Sequence, residues 1–207
     1  MTATSILLIG FALGLRHATD ADHVVVVTSL LDRQPSALRA ARIAAWWGVG
    51  HSCAFFAIGF ATVLLGLHVP PGFERLAEIV VAAMLVAFGI WHLARALGAS
   101  SRERSREREA RPASALRPTL VGVVHGLAGS AGIALLASTT ISSRIVATSY
   151  LLLFALGTIL GMVLLTIALS WPLSWAMAHE KARRVTMIGA ACLSLSLGAL
   201  VVLGAGP

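Results

Sequence analysis

The chain reads as an all-α polytopic membrane protein with six transmembrane helices, and three observations carry that reading. Its 207 residues are 57% hydrophobic and only 12% charged, with a mean hydropathy of +0.86; soluble domains carry about a quarter charged residues. Apolar residues fall in six runs, 4–31, 41–67, 74–97, 118–138, 145–170 and 185–205. Each is long enough for a helix that needs roughly 20 residues to cross the hydrocarbon core. The basic residues gather between alternate runs. Lipid offers the backbone no hydrogen bonds, so each run is expected to be helical. The alternation that would mark a β-barrel is absent.

In chain order, run 4–31 follows no basic n-region or small-residue cleavage site and is read as a retained membrane segment. Segment 32–40 holds Arg33 and Arg39, with Arg42 just beyond. Segment 98–117 holds Arg102, Arg104, Arg106, Arg108, Arg111 and Arg117, with Arg95 just before, and segment 171–184 holds Lys181, Arg183 and Arg184. The other two connections have only Arg75 and Arg144 nearby. The positive-inside bias puts the first, third and fifth loops in the cytoplasm and both termini outside, in a multi-pass membrane protein. This distribution also accounts for the net charge of +7 without nucleic acid as a partner. Trp46, Trp47, Trp91, Trp171 and Trp175 fit an inner interfacial belt. Pro70, Pro71 and Pro172 are read as turn formers. Cys53 and Cys192 are read as buried small hydrophobes. They do not fall at repeat-related positions, which argues against a membrane thiol carrier.

Residues 98–117 form a solvated cytoplasmic linker between two three-helix units, 1–97 and 118–207. The linker contains no His or Cys with which to collect metal. The units carry traces of an internal repeat: "GLRH" at 14–17 aligns with "GVVH" at 122–125, an offset of 108. "GVGHS" at 48–52 aligns loosely with "FALGT" at 154–158, matching Gly50 to Gly157, and "AFG" at 87–89 with "SLG" at 196–198. Because each unit has an odd number of helices, the second would enter the membrane inverted. Inverted repeats enclosing a central site are a transporter architecture.

The first run contains the unusual stretch "GLRHATDADHVVVV", 14–27. A charge at mid-membrane costs about 3 kcal/mol or more, so Arg16, Asp20 and Asp22 must face the interior, pair, or hold an ion. Arg16 and Asp20 can pair at a spacing of four, which leaves Asp22 as surplus negative charge beside His17 and His23. On an ideal helix at about 100° per residue, His17, Asp20 and His23 share a face and Asp22 does not. Either the helix loosens near Thr19 to Asp22, or Asp22 orients a ligand imidazole or contacts another helix. Imidazole with carboxylate suits nickel, copper, zinc and cobalt, whereas magnesium and calcium prefer all-oxygen sites.

"RHATDADH" at 16–23 resembles the His-x4-Asp-His signature of the nickel/cobalt transporter family (NiCoT), and "GVGHS" at 48–52 resembles that family's Gly-His-Ser segment. "VHGLAGSAG" at 124–132 and "LFALGTILGM" at 153–162 resemble later helices of the shorter, six-helix urease-accessory-type relatives. In the longer transporters the signature lies in the second of eight helices; here it lies in the first. The resemblance implies a permease for Ni2+, with Co2+ as the second candidate cargo and no permanently bound cofactor. The metal would meet His17, Asp22 and His23, with Asp20 and His51 as ligands or supporting groups. Arg16 would balance charge in the absence of the ion, and Ser52 and His125 would support the ion or its pathway. The alternative is a non-transporting accessory protein that delivers nickel to a metalloenzyme maturation system, whose proteins would then be partners.

Of the remaining histidines, His92 is expected at the cytoplasmic interface, and His68 and His179 in solvated loops. An enzyme reading fails: an intramembrane zinc protease would need His-Glu-x-x-His, and no Glu lies at mid-membrane. An anion exporter built on Arg16 fails too, because Asp20 and Asp22 lie within six residues of it.

Overall fold

The computed structural model describes residues 2–31, 36–67, 69–70, 72–97, 114–128 and 140–204. Among them are seven helices: α1 (Ala3–His17), α2 (Ala21–Leu30), α3 (Ala37–Leu65), α4 (Phe73–Leu97), α5 (Leu116–Leu127), α6 (Arg144–Ala178) and α7 (Glu180–Val202). Of these, α3, α4, α6 and α7 are long and apolar enough to cross a membrane, with mean hydropathies of 1.7, 2.0, 2.5 and 2.2. The chain is thus a helical membrane protein. The linker, apart from 114–117, lies outside the described residues, as do His68, Pro71 and the later part of the fourth run.

Run 4–31, expected as one crossing, is two helices. Thr2 caps α1, its hydroxyl accepting from the Ser5 N–H. After His17 the chain leaves the helix, and Asp20 is extended at φ −61°, ψ 150°. Short polar side chains explain the break, because they offer the backbone local alternatives to helical hydrogen bonds. The Thr19 hydroxyl donates to the Arg16 carbonyl at 2.6 Å, and the Asp20 N–H donates to the His17 carbonyl at 3.1 Å. These two bonds engage the Arg16 and His17 carbonyls where the helix ends. Beyond it, α2 buries Val25, Val26 and Val27 almost completely. It runs as a short central helix against α4, α6 and α7.

Around α2 the other helices pair through glycines. A Cβ at Gly14 would strike the Phe154 carbonyl, and one at Gly157 would strike the Phe11 carbonyl, so α1 and α6 lie backbone to backbone and parallel. On α3 and α5, a Cβ at Gly122 would strike the Trp47 carbonyl and one at Gly50 the Thr119 carbonyl. On α4 and α7, Gly89 lies against Ala191 and Leu195, and Gly198 against Ala82 and Val86, in antiparallel order. Small residues that admit such approach are the usual device of packed membrane helices. The Ser194 hydroxyl adds a buried bond to the Leu85 carbonyl at 2.6 Å.

Several sequence expectations are corrected. Pro172 lies inside α6 rather than at a turn, and segment 171–184 is almost entirely helical, with His179 alone joining α6 to α7. A proline inside a membrane helix is tolerated where neighbouring groups take up the freed carbonyl. Pro70 keeps its turn role, its carbonyl accepting from the Phe73 N–H at 3.1 Å. Cys53 and Cys192 are exposed rather than buried; in a membrane protein an exposed apolar face is still an apolar setting. Trp47 leaves the interfacial belt for the core, at 0% exposure, whereas Trp46, Trp171 and Trp175 are exposed.

Candidate metal centre

The break after His17 frees its ring and that of His23 from helical spacing, and they meet edge to face with centroids 4.8 Å apart. His51 arrives on α3, its ring 5.2 Å from each of them. His125 arrives on α5, 4.7 Å from His23 and 5.7 Å from His51. Gly126 makes this convergence possible, because a Cβ there would strike the His51 backbone. His23, His51 and His125 are buried and His17 is half-buried. The Trp47 indole walls the cluster, 5.4 Å from the His23 ring.

Carboxylates orient these rings. Asp22 Oδ1 accepts from the backbone N–H and the Nδ1–H of His23, at 2.9 and 3.0 Å. Asp22 Oδ2 accepts from His125 Nε2–H at 2.9 Å. A carboxylate can only accept, so the opposite ring nitrogens, His23 Nε2 and His125 Nδ1, present lone pairs. Both are buried without a hydrogen-bond partner among the described residues. Asp20 Oδ2 accepts from the Nδ1–H of His17 at 2.9 Å. His17 Nε2 is then an acceptor and receives His51 Nε2–H at 3.1 Å. Carboxylates behind imidazoles in this way fix the tautomer and make the far nitrogen a better metal ligand.

One ligand atom from each of His17, His23 and His51 lies within 4.8 Å of the others, and the same holds for Asp22, His23 and His125. First-row divalent ions hold imidazole nitrogens at about 2.0–2.1 Å, so neighbouring ligands on one ion stand roughly 2.9–3.4 Å apart. The His17 and His51 Nε2 atoms, at 3.1 Å, already have that spacing.

Of the other sequence candidates, Arg16 is exposed, and no ion pair joins it to Asp20, which engages His17 instead. The Ser52 hydroxyl donates to the Ala155 carbonyl at 3.2 Å, tying α3 to α6 rather than facing the rings. His92, expected at the cytoplasmic interface, is buried among the helices, its Nε2 2.9 Å from the Ser29 hydroxyl. His179 is exposed, as expected of a loop residue. The residue that sequence reasoning missed is Trp47. It precedes His51 by four, which puts both on one helical face, and that spacing was the available signal.

Fold and site together define the class: a helical membrane protein whose interior gathers His17, His23, His51 and His125, with Asp22 bridging His23 and His125. The chain is similar to the urease accessory protein UreH of Bacillus sp. (strain TB-90), with 28% identity over 164 residues that span 75% of this chain and 72% of the relative. No family model matches the chain, and no solved structure does either. The relative's description as an accessory protein agrees with the non-enzymatic reading.

Proposed function

We propose that the protein is a permease for Ni2+, with Co2+ as second cargo, in the bacterial inner membrane. One observation carries the proposal: ligand atoms of His17, His23 and His51 converge within 4.8 Å in the protein interior, the His17 and His51 Nε2 atoms already at the 3.1 Å spacing of neighbouring ligands on one ion. The ion would exchange part of its water for these imidazoles. His51 would release its Nε2 hydrogen bond to His17 and carry its proton on Nδ1, which has no other partner among the described residues. Asp20 and Asp22 supply the negative charge behind the rings.

The packing supports six crossings arranged as a 3+3 inverted repeat. The glycines that the repeat aligns, Gly14 with Gly122, Gly50 with Gly157 and Gly89 with Gly198, occupy equivalent close contacts. Gly14 meets Phe154 and Thr158 on α6 as Gly122 meets Trp47 and His51 on α3. The parallel α1–α6 and α3–α5 pairs and the antiparallel α4–α7 pair are the directions that six alternating passes require. Rocking of the two halves about the central imidazoles would open them to each side in turn, with both termini outside.

The name of the relative favours a second reading, an accessory protein that passes nickel to a metalloenzyme maturation system without transporting it. Purified protein in sealed vesicles separates the two. Nickel flux without any partner is the expected result; nickel binding without flux would replace the permease with the accessory protein. Binding is also expected to weaken progressively as pH falls, because a protonated imidazole has lost the lone pair that a metal needs. Calorimetric titration at several pH values checks this, and an affinity independent of pH over the whole range in which the protein stays folded would exclude imidazole ligation.

A further inference from the structure

The two candidate ligand sets overlap in a way the permease reading does not by itself require. His23 belongs to both. His17 and His51 complete the first set, while Asp22 and His125 complete the second, with Asp22 Oδ2 and His125 Nε2 separated by 2.9 Å. That separation again lies in the range for neighbouring ligands on one ion, roughly 2.9–3.4 Å. His125 is 2% exposed, and its Nδ1 has no hydrogen-bond partner among the described residues. It is also the repeat counterpart of His17, so an inverted repeat sets the two on opposite sides of its axis.

We propose that Asp22, His23 and His125 form a second resting position for the ion, reached from the His17–His23–His51 position by transfer across His23; this rests on the permease reading. To enter, the ion displaces the proton that His125 Nε2 shares with Asp22, and the ring stays neutral by carrying that proton on Nδ1. The buried Nδ1–H then lacks an acceptor among the described residues, while the Asp22 carboxylate attracts the cation. The position binds, yet not so firmly that the ion stays, which is what conduction between adjacent sites demands. Because His23 is shared, the positions fill alternately, and each protein holds one ion.

The test uses the full chain in vesicles with Ni2+ as the probe, and compares His125→Gln with His125→Ala. Glutamine keeps an N–H donor for Asp22 but supplies no imidazole. Wild type is expected to bind one Ni2+. Both variants should bind within about threefold of wild type, through the first set, yet lose at least tenfold in flux. His17→Ala should retain weakened binding that His17→Ala/His125→Ala loses. Wild-type flux in His125→Gln would reduce His125 to a holder of Asp22 and overturn the proposal. So would two ions bound per wild-type protein, or His17→Ala binding no better than the double variant. Wild type that neither binds nor moves Ni2+ would instead sink the permease reading itself.

Discussion

His23→Ala is expected to abolish nickel binding and nickel flux together while leaving the amount of protein in the membrane unchanged. The ring is fully buried between His17 and His125, and its Nε2 lone pair has no alternative partner among the described residues. Losing an outer partner of a metal ligand typically costs ten- to a hundredfold in affinity; losing a ligand common to both sets should exceed about a hundredfold. His17→Ala should abolish accumulation as well. It removes the Nε2 that faces His51 at 3.1 Å and leaves Asp20 without its imidazole. Asp22→Asn should fall between wild type and these variants, at about ten- to a hundredfold weaker binding. An amide offers one carbonyl oxygen where the carboxylate accepts from two rings, and its NH2 group would confront an N–H of His23 or His125. Nickel titrations of the purified variants, with uptake measured in parallel, check the order. Wild-type affinity in His23→Ala would remove the metal from this cluster altogether.

How much of this was legible in the sequence depended on the range of the interaction. The ionisable residues from Arg16 to His23 stood out because charge within an apolar run is costly wherever the fold places it. Angular spacing alone offered a loosened helix near Thr19 as one of two ways to place Asp22, and the structure breaks the helix between His17 and Ala21. The sequence left two roles open for Asp22, orienting an imidazole and contacting another helix; its carboxylate does both, through His23 and His125. What the sequence did not yield depends on neighbours that are distant in the chain. Trp47 and Trp46 are adjacent and chemically identical, but only Trp47 faces inward, toward His23. Beside Arg95 and near a helix end, His92 resembles an interfacial residue until Ser29 of α2 is placed against it. Pro172 reads as a turn until α6 continues through it. For Trp47 and His92 the deciding contact comes from another helix, and local pattern carries no record of it.

The repeat makes the sharpest demand on stability. Gly122→Ala and Gly14→Ala are expected to destabilise the protein by similar amounts, about 1–3 kcal/mol each, the usual range for overpacking. Each added methyl would meet a backbone carbonyl, Trp47 for Gly122 and Phe154 for Gly14. Backbone cannot swing aside as a flexible side chain can, so the helices themselves must separate. Gly189→Ala is the matched control. A Cβ there meets nothing within 4 Å on the exposed side of α7, and alanine is the better helix former. Thermal unfolding in detergent measures all three. For a chain of this length a loss of 1 kcal/mol lowers Tm by roughly 2–4 °C, so the first two variants should melt several degrees below wild type and the control no lower. Both should also impair flux, because Gly14 lies one turn before His17 and Gly122→Ala strikes the carbonyl one turn before His51. Equal Tm losses with unequal flux losses would mean that the repeated scaffold is symmetric and its chemistry is not. A Gly122→Ala protein as stable as wild type would show that α3 and α5 do not pack through this glycine, and would leave the repeat without its structural support.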